Sequence, residues 1–181
     1  MILLFIIAPA TLAISIVEDS FISQDLLSIA NTGGNRFAFA NTDLFGLGIP
    51  YNQISLKMDL GKMGMLLELS DLQNEIDLVY KERTGSLTTS FEISNKFTLG
   101  GKIKLSQIDT VITGSGWGLD IGLIYRPISK LELSLGLDNV IGKNKYSTDT
   151  EEKAEVGFNS SARFSLGSGL SLLCNLAADD Y

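Results

Sequence analysis

From Tyr51 onward apolar and polar residues alternate in segments of about 9 to 11 residues, the length of a tilted strand that crosses a bilayer. Taken every second residue, one set reads Ile54, Leu56, Met58, Leu60, then Met63, Met65, Leu67, Leu69, then Leu87, Thr89, Phe91, Ile93, then Phe97, Leu99, Gly101, Ile103, Leu105. It continues through Leu119, Ile121, Leu123, Tyr125, then Leu131, Leu133, Leu135, Leu137, then Val156, Phe158, Ser160, Ala162, Phe164, and ends on Leu170, Leu172, Cys174, Leu176. No residue of this set carries a charge. The intervening set holds Lys57, Asp59, Glu68, Glu92, Lys102, Lys104, Asp120, Arg126, Glu132, Asp138, Glu155 and Arg163 among glycine and serine. Because side chains alternate across a strand, the pattern predicts a sheet with one apolar side and one hydrated side of mixed charge. Two architectures satisfy it. A soluble lipocalin-like barrel turns the apolar side inward around a ligand, and a membrane barrel turns it towards lipid.

The spacing of the segments separates these readings. Short connections fall at Gly61, 94–96, 127–130 and 167–169, and longer ones at 71–85, 109–116 and 140–154. Alternating short and long links are what a barrel with periplasmic turns and outer loops shows. The expectation is therefore an all-β, antiparallel up-and-down transmembrane β-barrel with about eight to ten strands in this chain. With a first strand at 35–41, eight strands counted from Tyr51 finish near Ala177 on the outer side. A complete barrel of this type has an even strand number and ends in the periplasm, so an incomplete barrel is expected.

The segment from Met1 to Val17 is uninterrupted by charge, and Thr11-Leu12-Ala13 or Ala13-Ile14-Ser15 offers small residues to a leader peptidase. It is expected to be a cleaved export signal over 1–15, although no Lys or Arg precedes it; a membrane anchor and a buried strand are the other readings. The expected organisation continues with an N-terminal periplasmic or luminal segment and first strand over 16–50, and barrel strands over 51–181.

Composition narrows the chemistry. Apolar residues are 45% of the chain, charged ones 19%, and 18 glycines stand against 3 prolines, which argues against disorder and for many tight turns. The net charge of −7 argues against a nucleic-acid partner, which needs clustered Lys and Arg. Histidine is absent, which removes the commonest metal ligand and general base, and a single cysteine, Cys174, excludes an intramolecular disulfide. No enzyme activity, metal or cofactor is expected.

Three stretches carry a resemblance. Gly100-Gly101-Lys102-Ile103-Lys104-Leu105 with Gln107, then 116–127 with Asp120, Gly122, Tyr125 and Pro127, then 131–142 with Asn139 and Gly142, resemble the PorV-like outer-membrane barrels, relatives of the long-chain fatty-acid transporter group. The likeness falls within 100–142, about a quarter of the chain; the glycine-rich opening and "NPAG"-like motif of that family are not found in 18–50, and the family is longer, with some fourteen strands. What the resemblance implies is a bacterial outer-membrane protein that moves hydrophobic solutes or serves secretion to the cell surface, with lipid, a hydrophobic solute or a secretion-machinery protein as partners. It implies no catalytic residue. The alternative is an exported soluble β-barrel that binds a lipophilic ligand; a barrel protease or acyltransferase is disfavoured by the missing histidine.

Individual residues follow from this frame. Lys102, Lys104, Asp120, Arg126, Glu132, Asp138 and Arg163 are the candidates for lumen lining, the basic groups neutralising carboxylates that could otherwise form an acid-base pair such as Asp120 and Asp138. Tyr51, Trp117, Tyr125 and Tyr146 lie near predicted strand ends and are candidates for an aromatic girdle in the headgroup layer. Gly114 to Gly118 is expected to be a glycine-rich outer loop, 149–152 a solvated acidic loop, and Cys174 a lipid contact.

Overall fold

The computed structural model describes residues 26, 29, 33–44, 49–74, 80–148, 150–167 and 170–179. The expected export signal over 1–15 lies outside them. Ten strands follow in chain order: β1 (Arg36–Leu44), β2 (Ile49–Asp59), β3 (Met63–Asn74), β4 (Tyr80–Ser94), β5 (Phe97–Asp109), β6 (Gly114–Ile128), β7 (Leu131–Tyr146), β8 (Glu151–Lys153), β9 (Gly157–Gly167) and β10 (Leu170–Asp179). All belong to one antiparallel sheet of order β1-β2-β3-β4-β5-β6-β7-β9-β10, with β8 paired to β7 off this path. Among the described residues β1 and β10 do not pair with each other, so the all-β antiparallel sheet is an open meander that is not closed into a barrel. Alternation sets which side a residue faces, and it carries no information about what lies beyond the outermost strands.

The register keeps like with like. One row of neighbours crosses the sheet as Phe37, Leu56, Leu67, Leu87, Ile103, Leu119 and Ile141. On the opposite side Lys57, Leu66, Thr88, Lys102 and Asp120 form another, and Gly64, Ser90, Gly100, Gly122, Gly136 and Asn159 a third. A one-residue slip would exchange the two sides, which is why the pattern specifies the pairing so strongly.

The β2–β3 turn shows how local chemistry ends a strand. Gly61 has φ of 81°, a conformation that costs a residue with a Cβ, and its amide donates to Asp59 Oδ1 at 3.0 Å. Asp59 also accepts from the Gly34 amide at 3.0 Å, which ties the entry to β1 onto the same turn.

Several expected loops are strand. Residues 70–74 pair with 80–84, so the β3–β4 hairpin runs well past its apolar part. Gly114 to Gly118 is not a glycine-rich loop: it opens β6 and pairs with 104–108 of β5. Within the expected 140–154 connection, β7 continues to Tyr146 and β8 folds back on 143–145. Polar residues on both sides of these extensions conceal the alternation, and backbone pairing propagates without it.

Candidate functional site

The apolar side is the exposed side. Phe91 keeps 54% of its surface and Leu105 61%, whereas Lys102 keeps 2% and Asp120 none. Thr88, Ser90, Thr98, Ser134, Asn159 and Ser161 are buried with them on the polar side. Buried polar groups need partners. Here they find them across strands, as in the Ser134–Ser161 hydroxyl pair at 2.5 Å.

All seven lumen candidates lie on this polar side, in two groups. The first centres on Asp120 of β6. Its Oδ1 accepts from Lys104 Nζ at 3.1 Å and from the Asn139 amide at 2.7 Å, with Lys102 directly opposite in register. The Asn139 amide reaches Asp120 because β7 bulges there: Ile121 faces Leu137, yet Leu119 faces Ile141, and Asn139 takes φ of 52°. Next to it Asn159 Nδ2 donates to Asp138 Oδ2 at 2.5 Å. Asp120 Oδ2 and Asn159 Oδ1 are buried in this node without a hydrogen bond from the protein.

The second group lies nearer the tight turns. Arg126 donates from Nε to Glu132 at 2.9 Å and from Nη1 to the Thr98 hydroxyl at 3.0 Å, and Arg163 stands opposite Glu132 on β9. A cavity of about 270 Å³ opens beside Arg126, lined also by Lys57, Ser90, Thr98 and Ile29. Ile29 and Leu26, both helical and both buried, rest on this polar side. A Cβ at Gly100 would come within 2.0 Å of Leu26 Cδ2, and one at Gly64 within 2.1 Å of Ile29 Cγ2, so the two glycines form the seats of the two apolar side chains. Sequence reasoning missed this contact. The available signal was an apolar pair three residues apart on one helical side and a row of glycines in cross-strand register.

The four aromatic candidates divide. Trp117 is on the apolar side between Leu105 and Lys143, where apolar neighbours give way to charged ones, and Tyr125 stacks on Phe97 at 4.8 Å near the tight turns. Tyr51 and Tyr146 are on the polar side, Tyr51 in step with Lys57 and Tyr146 against Gly114, so neither belongs to an outward girdle.

Beyond Trp117 the outward positions become ionic. Arg83 pairs with Asp71 at 3.2 Å, and Lys143 with Glu151 of β8. A hydrogen bond and the charge of Lys143 hold the Glu151 carboxyl below its usual range. In the same rim, burial and then the hydrogen bond to Glu82 push the Tyr80 phenol up to about 12. Glu151 and Glu152 of the acidic stretch thus belong to a paired, exposed strand and not only to a solvated loop. Among the described residues no group of three His, Cys, Asp or Glu could hold a metal ion. No protein-family model matches the chain, and no curated protein matches it.

Proposed function

We propose that this chain is the wall of a bacterial outer-membrane β-barrel without enzymatic activity, its apolar side in lipid and its polar side lining a lumen that handles a hydrophobic solute or a secretion partner. One observation carries the reading. Large apolar side chains are exposed across the sheet while Lys102, Asp120 and Thr88 are buried, the reverse of a water-soluble sheet. The outward apolar stretch of β6, from Trp117 to Tyr125, would span about 26 Å at ~3.3 Å per residue before tilt. That is close to the lipid-facing band of such barrels, and aromatic rings bound it at both ends. The resemblance to PorV-like and fatty-acid-transporter barrels agrees with this assignment and adds the transport or secretion role. Leu26 and Ile29, seated on the polar side beside the 270 Å³ cavity, are where a solute entering the lumen would meet the N-terminal segment.

Cell fractionation tests the reading. The full chain is expected in the outer-membrane fraction, resistant to alkaline carbonate and released only by detergent. Recovery from the soluble periplasm would overturn it in favour of an exported ligand-binding protein.

A further inference from the structure

The open meander has two edges, and their directions restrict what can lie beside them. Nine strands on the path are joined by antiparallel pairings throughout, which makes eight reversals, so β1 and β10 run the same way. Joining them directly would create a parallel seam. A ring of copies inserted in one orientation would do the same, because each β10 would meet the β1 of the next copy.

Over their middle stretches neither edge carries the features by which sheets refuse another strand, the register irregularity beside β10 falling at its start, between Leu170 and Ser171. The charges of β1 are Arg36 and Asp43, near its two ends, and the one charge of β10 is its last residue, Asp179; neither strand contains proline. The apolar side continues undiminished to both edges, with Phe37 and Phe39 exposed on β1 and Leu172 and Leu176 on β10. This step rests on the membrane reading above. In water an unpaired edge bonds to solvent, whereas in hydrocarbon unpaired N–H and C=O groups are not tolerated.

We infer that β1 and β10 are docking edges completed by an odd number of further strands that run antiparallel to both, not by each other and not by a second copy of this sheet. An all-antiparallel barrel has an even strand number, and nine needs an odd complement to reach one. The occupant is a polypeptide strand of alternating polarity, apolar beside Phe37, Phe39, Leu172 and Leu176, and small or polar beside Ala38, Ala40 and Asn175.

The test uses the full chain carrying Cys174→Ser in its own membrane. Control pairs Ala38→Cys with Ser55→Cys and Ala40→Cys with Gln53→Cys join registered neighbours of β1 and β2 and should oxidise to intrachain disulfides. Pairs of Ala38→Cys or Ala40→Cys with Leu173→Cys or Asn175→Cys should form no disulfide, within a chain or between copies. A benzophenone side chain placed in turn at 38 and 40 should label a strand whose residues are met in descending order, and one at 175 should label an alternating strand as well. A disulfide between β1 and β10, a disulfide between copies, an ascending order of labels, or no labelled strand overturns the inference. Flotation of the same preparation with lipid vesicles keeps the two proposals apart. A chain that floats yet joins β1 to β10 refutes only the odd complement, and a chain that does not float refutes the membrane reading on which it rests.

Discussion

Asp120 is the residue on which the polar side turns, since it anchors a lysine on β5 and a bulge on β7 at once. Asp120→Asn would leave Lys104, itself largely buried, facing a neutral amide, and breaking one partner of such a pair costs about 3–5 kcal/mol. Urea unfolding in detergent micelles should register that loss, while the double change Asp120→Asn with Lys104→Met should recover a large part of it. Gly100 makes a second case at this scale. Gly100→Ala drives a methyl into Leu26 and against the Thr89 carbonyl, an overpacking worth about 1–3 kcal/mol. Because part of the clash is with Leu26, combining it with Leu26→Ala should be less than additive in the same unfolding assay. The faces of individual residues were legible throughout, including two that were misjudged: alternation already puts Tyr51 in step with Lys57 and Tyr146 in step with Gly142. Proximity to a strand end was the wrong criterion. The Asn139 bulge and the Leu26 seat were not legible, because each depends on a neighbour distant in the chain.

At the level of the strand, what matters is where the exposed apolar side ends and pairing continues. Ile103 lies in the middle of the outward apolar side and is half exposed. Ile103→Arg should cost about 2–4 kcal/mol for a chain folded in vesicles, as charged residues do at the bilayer midplane. At a water-exposed position the same change would stay within about 0.5 kcal/mol, so unfolding in vesicles separates the two environments. The hairpin extensions carry a different sensitivity. Glu151 has its carboxyl value depressed below 4.5 by the hydrogen bond and charge of Lys143, with Lys145 adding to it. Its contribution to holding β8 is therefore present above pH 4.5 and is lost as pH falls through the lower folded value. Carboxyl titration by NMR should place Glu151 below 4.5, and Lys143→Met should return it towards that value. The existence of every strand but β8 and the tight turns at Gly61 and near 95 and 129 could be read from the pattern. Strand lengths could not, since residues such as Ser70, Thr84, Ser115 and Lys145 pair through the backbone with no apolar alternation to announce them.

For the molecule as a whole, the distribution of exposure inverts the usual arrangement, and one tryptophan stands at its boundary. Trp117 is the chain's only tryptophan, half exposed between Leu105 and Lys143. Its fluorescence in the unmodified protein is thus a built-in depth gauge. Bromine atoms carried high on the acyl chains, next to the glycerol, should quench it more strongly than bromines near the methyl ends, and an emission that ignores brominated lipid altogether would put the indole in water.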